Sequence, residues 1–141
     1  MVNLATSTIR ANIFESIYDV LTAAYLSSSL ATVTAAYIDD DHSFPQVVVN
    51  PAFVPIQKMT FNRTNRMYSA DVEIDIFAIK NKQIDQISDE INKNLETSES
   101  ALASSGLYLM DSEDIGGVTF PLNESTKVHQ KTMLITFGVN L

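Results

Sequence analysis

Apolar and polar positions alternate strictly from residue 68 to residue 78. Tyr68, Ala70, Val72, Ile74, Ile76 and Ala78 fill the even positions, and Ser69, Asp71, Glu73 and Asp75 the odd ones, which turn apolar only at Phe77 and Ile79. Period-two alternation predicts a strand with one buried face and one face meeting water or a charged cavity. The C-terminal stretch repeats the pattern, with Met133, Ile135, Phe137, Val139 and Leu141 alternating with Thr132, Leu134, Thr136, Gly138 and Asn140. Between the two, Ile84, Ile87, Ile91, Leu95 and Leu102 recur at helical spacing and predict a helix over residues 83–104, stopped by Ser105-Gly106. Another helix is predicted over 9–26, with Ser7 and Thr8 as candidate caps. Its stripe is Ile13, Ile17, Val20, Leu21 and Ala24, edged by Phe14, Tyr18 and Tyr25.

Shorter strands are expected at 32–38, at 44–49 behind Pro45, and at 56–62. The segment Asn62, Arg63, Thr64, Asn65, Arg66 has turn composition and predicts a hairpin into the central strand. That central strand, residues 67–79, is much longer than the typical run of about 5–6 residues, so it is expected either to be bent by a bulge or to project past the domain. A short strand is expected at 107–110. Asp111, Ser112, Glu113 and Asp114 then read as a solvated loop and Gly116-Gly117 as a turn. Residues 118–122 read as loop or a brief strand, and 123–127 as a turn into the last strand. The expected class is α+β: a mostly antiparallel sheet of about four to five strands, two helices on one face, in the order α-β-β-β-β-α-β-β. Val72, Ile74, Ile76, Ile87, Ile91, Ile135 and Phe137 are its expected shared core.

Composition narrows the function more than any motif does. The chain has 141 residues, enough for one domain with its own core, and is 45% hydrophobic, which excludes a disordered protein. It has no Cys, so disulfides, thiolate metal sites and Cys nucleophiles are out. No basic leader and no apolar run of the roughly 20 residues a membrane helix needs is visible, so a soluble cytoplasmic protein is the default. Net charge is −8, from 17 acidic against 9 basic residues, which argues against a binder of the phosphate backbone.

Candidate chemistry is thin. Asp39, Asp40, Asp41 and His42 are adjacent residues that would need partners from elsewhere to hold a divalent ion. The carboxylates of residues 111–114 have no histidine or nucleophile beside them, and His129 has no supporting acid nearby in sequence. Gly116-Gly117 is too isolated to cradle a phosphate. Lys127, His129 and Lys131 alternate and are expected to share one face as a small basic stripe. Asp71, Glu73 and Asp75 are expected to form a solvent- or lumen-facing stripe, because like charges spaced two apart on a strand need screening. No catalytic residue, cofactor or metal site is expected.

The order of elements, together with Phe44-Pro45-Gln46-Val47-Val48-Val49, Tyr68-Ser69-Ala70-Asp71-Val72-Glu73-Ile74-Asp75-Ile76 and Lys127-Val128-His129-Gln130-Lys131-Thr132-Met133-Leu134-Ile135, resembles the tail-terminator (tail-completion) and neck proteins of long-tailed viruses. The resemblance covers nearly the whole chain through loose patterns, and the family has no catalytic residues to transfer. It implies one tail-terminator-like domain over 1–141. It further implies a homo-oligomeric ring, commonly a hexamer, that caps the tail tube and joins it to the head connector while DNA passes through its lumen. Self-association, the tail tube protein and the head connector protein are then the expected partners, with no membrane. The protein would reside in the virion neck after assembly in the host cytoplasm. Arg63, Arg66, Asp71, Glu73 and Asp75 are the candidate interface residues; Arg63 or Arg66 is expected to meet Asp39–41 or Asp111–114 of a neighbouring subunit. The alternatives are a head-side connector of the same neck region, or a small monomeric α+β module binding an anion or a peptide.

Overall fold

The two alternating stretches pair with each other. The computed structural model describes residues 9–24, 32–34, 44–50, 56–58 and 67–140. In it β4 (Met67–Ala78) and β6 (Lys127–Asn140) run antiparallel from Met67 opposite Asn140 to Ala78 opposite His129, without a shift of register. This sets Val72 beside Ile135, Ala70 beside Phe137 and Ile74 beside Met133, so the apolar sets of both strands fall on one face. The remaining strands are β1 (Thr32–Thr34), β2 (Gln46–Asn50), β3 (Ile56–Lys58) and β5 (Leu107–Pro121). Their order is β1-β2-β4-β6-β5, with β3 also on β4.

The expected α+β class holds, and the sheet is mixed. β1 runs parallel to β2 while every other pairing is antiparallel. The described strands number six instead of four to five. The length of β4 needs neither bulge nor overhang, because two successive strands share its flank: β3 pairs with 68–70 and β2 with 73–77. The turn expected at 62–66 lies outside the described residues, as do the outer parts of the strands expected at 32–38 and 56–62.

Helices cover the apolar face. Ile13, Ile17 and Leu21 of α1 (Ile9–Ala24) and Ile84, Ile87, Ile91 and Leu95 of α2 (Asn81–Thr97) are buried in one cluster with the strand residues. All seven residues of the expected core belong to that cluster, each fully buried. Side chains of this kind contribute about 1.5–3 kcal/mol apiece when fully buried. The hydroxyl of Ser88, on the buried side of α2, donates to Met133 Sδ at 3.5 Å.

The helix expected over 83–104 is broken once. Ser98 leaves helical geometry at φ −101° and ψ 17°, and α3 (Glu99–Ser104) resumes with Leu102 N–H bonded to the Ser98 carbonyl. Leu102 of α3 stays in the core across the break, in the same buried cluster as Ile91 and Leu95. Gly106 ends α3 at φ +88°, the left-handed conformation a helix stop favours in glycine.

The largest departure from the sequence reading is β5. Residues 107–121 form one strand paired with β6, where a short strand, an acidic loop and a glycine turn are expected. Asp, Ser and Gly are poor strand formers, but β6 offers a long ladder, and pairing to it satisfies backbone groups that a loop would leave to water. Two register shifts, between Leu109 and Asp111 and between Asp114 and Gly116, absorb Met110 and Ile115 as extra residues. Gly116 takes φ +153° beside the second bulge, a conformation that disfavours any side chain although nothing crowds its Cβ position.

Candidate functional site

The sheet face turned away from the helices carries the chemistry. Asp71, Glu73 and Asp75 of β4 lie on it, half-buried, as the alternation requires. β6 places Thr136 beside Asp71, Leu134 beside Glu73 and Thr132 beside Asp75. Thr136 Oγ1 donates to Asp71 Oδ1 at 2.8 Å, and Thr132 Oγ1 donates to Asp75 Oδ1 at 2.6 Å, with Gln130 Nε2 at 3.4 Å from the same oxygen. The next strand continues the pattern: Asp111 lies opposite Thr136 and Glu113 opposite Leu134, both exposed. Five carboxylates therefore share one face, and by register no Lys or Arg of the described strands joins them there.

Asp111 and Glu113 were not legible as members of this face, because the bulges at Met110 and Ile115 interrupt the alternation that would reveal them. The face is also not polar throughout. At the end where β6 begins, Val48, Phe77 and Val128 form a second buried cluster, packed by Phe44, Phe120 and Leu122. The rings of Phe77 and Phe120 meet edge to face, 6.2 Å apart. The apolar Phe77 at the end of the acidic stripe is the sequence signal for it.

Burial, and then the neighbouring charge of Asp75, raise the Glu73 pKa above its ordinary value of 4.5. Well below that value the carboxyl is protonated in folded and unfolded chains alike, and the fold keeps its full stability from this group. As pH rises the unfolded chain releases the proton first, so stability falls until the folded carboxyl has also ionised. Glu73→Gln is expected to remove this fall and to leave neutral-pH stability unchanged or higher, measured by urea unfolding between pH 4 and 7. A variant with the same pH dependence as the parent would show that another group is responsible.

The alternating stripe at Lys127, His129 and Lys131 shares one face, on the helix side. It is not a free basic patch. Lys131 Nζ lies 3.0 Å from Asp114 Oδ2 and 3.8 Å from Asp85 Oδ1, and His129 Nδ1 lies 2.9 Å from Thr119 Oγ1. Asp114 thus turns to the helix side while Glu113 turns away from it. An open groove of about 490 Å³ between α1 and α3 is lined by Asn12, Glu15, Ser16 and Asp19, with no histidine or cation among its lining residues. Among the described residues no group of three or more His, Asp or Glu is placed to hold a metal ion. Asp39, Asp40, Asp41, His42, Arg63 and Arg66 lie outside the described residues. No described helix is long and apolar enough to cross a membrane.

No protein-family model matches the chain. No curated protein matches it in sequence. Among solved structures, it is similar in fold to a chain of the virion of a native gene transfer agent particle. That likeness has a TM-score of 0.57 at 11% sequence identity and covers 92% of this chain and 95% of the other.

Proposed function

We propose that this chain is a structural protein of a virion: a tail-terminator-like domain over residues 1–141 that assembles as a ring, caps the tail tube and joins it to the head connector. It does so without enzymatic chemistry. The observation that carries this reading is the face of the sheet turned away from the described helices, with Asp71, Glu73, Asp75, Asp111 and Glu113 on it and no described Lys or Arg. Turned inward in a ring, that face lines a lumen with the sign of charge that duplex DNA carries at about one per 1.7 Å of axis, so the cargo passes without being held. The fold shared with a chain of a gene transfer agent virion supports the same reading, although a fold alone does not carry a function. A hexamer is the stoichiometry that the tail-terminator resemblance implies, and the virion neck the location.

Deleting the coding sequence is expected to leave filled heads and separate tails that do not join. In lysates of a head-deficient mutant, the protein should sediment with tails. Recovery with heads from a tail-deficient mutant would instead assign it to the head-side connector. Intact infectious particles from the deletion would overturn a role in the neck altogether.

A further inference from the structure

Both ends of α2 carry the sign of charge that a helix disfavours there. The helix dipole puts partial positive charge at the N-terminus and partial negative charge at the C-terminus, so acids stabilise the start of a helix and bases its end. In α2 the N-cap residue is Lys80, which makes no side-chain cap, and the first turn holds Lys82 and no acid. The last turn holds Glu96 and no base, and Glu99 opens α3 directly beyond it. Departures of this kind from local rules mark places where a functional contact supplies the compensation.

Each end is also a surface with an exposed apolar residue. Three of the four exposed lysines among the described residues, Lys80, Lys82 and Lys127, lie at one corner, because Ala78 opposite His129 sets the end of β4 beside the start of β6. Ile79, next to Lys80, is 38% exposed. Asp85 and Asp114, which line the cavity beside Asn81, are already paired with Lys131. At the other end of α2 an open groove of about 470 Å³ is lined by Glu96, Glu99, Leu109, Met110, Asp111 and Ser112. Met110, the extra residue of the first bulge in β5, is 50% exposed. Ser112 Oγ donates to Asn92 Oδ1 at 2.8 Å and ties this part of β5 to α2. The groove has three carboxylates and no base; Lys93, the fourth exposed lysine, does not line it.

The two surfaces complement each other and not themselves. Corner on corner sets lysine against lysine, and groove on groove sets carboxylate against carboxylate, pairings that like charges exclude. Corner on groove joins unlike charges, covers Ile79 and Met110, and brings carboxylates to the uncapped start of α2. The 17 residues of α2 hold the two about 25 Å apart, so they cannot meet within one copy. We propose that the lysine corner of one copy docks on the acidic groove of a second copy. Such a contact is heterologous: it repeats head to tail and closes into a ring or runs on as a filament. It uses none of Asp71, Glu73 and Asp75. The inference rests on the ring reading, and the test separates the two.

The native mass of the purified protein is measured, with electron microscopy, for the parent, for Lys80→Glu/Lys82→Glu and for Glu96→Lys/Glu99→Lys. All four sites are exposed, and both variants give the ends of α2 the favoured sign, so each is expected to fold as the parent does, checked by circular dichroism. The expected result is a ring for the parent, monomers for each variant alone, and rings again from an equal mixture of the two. In the mixture, alternating copies set reversed corner against reversed groove and native corner against native groove, so every contact regains unlike charges. A ring that survives in either variant alone overturns the contact and leaves the ring reading intact. Loss in both without recovery on mixing overturns the pairing of these two surfaces, again leaving the ring. A parent that stays monomeric at high concentration, and also in the presence of uncapped tail tubes, overturns the ring reading and the contact with it.

Discussion

Truncating Ile91 or Ile135 to Ala is expected to lower the unfolding free energy by about 2–5 kcal/mol. The two residues approach each other from different layers: Ile91 from α2, Ile135 from the middle of β6, each fully buried in the same cluster. Neither site can collapse easily. Ile135 is held opposite Val72 by a ladder that runs the length of β4, and α2 is pinned at both ends by other buried residues, Ile84 and Leu95. Native domains have only about 5–15 kcal/mol of stability in total, so either change removes a large share of it. Urea unfolding followed by circular dichroism measures the effect, and an unchanged midpoint would show the core to be misplaced. On the other face of the sheet, Asp71→Asn in β4 is expected to unfold near the parent midpoint, because the amide keeps an acceptor for Thr136. The contrast between the two faces is the signature of a sheet whose apolar side is covered by helices.

The second large effect concerns the lumen. In a ring with the carboxylate face inward, Asp71→Lys/Glu73→Lys replaces two anions by two cations in every copy. Asp75 keeps its bonds to Thr132 and Gln130 in that variant. The parent ring is expected to leave duplex DNA unbound. The variant ring is expected to bind it with a steep salt dependence, losing about 10³–10⁵ in affinity between 50 and 200 mM salt if six or more phosphates are contacted. Linear duplex can thread a closed ring and a covalently closed circle cannot, so linear DNA should compete far better than circular DNA. Equal binding of the two forms would place the altered face on the outside of the ring. The melting temperature of the variant, measured in parallel, shows that the fold has been kept.

How much of this was legible without the structure depends on which force decides each segment. Where apolar periodicity is unbroken the local pattern and the tertiary packing agree, so β4, β6, the buried stripes of α1 and α2, and the stop at Gly106 follow from the residues alone. The outward placement of Asp71, Glu73 and Asp75 follows as well, because a strand has only two faces and the other is apolar. The break at Ser98 was not legible, since Leu95 and Leu102 fit one helix as well as two.

The β5 segment is where local propensity and tertiary context disagree. Asp111, Ser112, Glu113, Asp114, Gly116 and Gly117 favour turns by composition, and only the long ladder offered by β6 makes them a strand. Two bulges then shift the phase of the alternation, so no fixed period could assign Asp111 and Glu113 to the carboxylate face or Asp114 to Lys131. The parallel pairing of β1 with β2, and the sharing of one flank of β4 by β2 and β3, are likewise matters of which strand edges meet. The sequence by itself determined which side chains must leave water; which strands lie side by side, and so which charges share a face, was decided only by pairing between residues far apart in the chain.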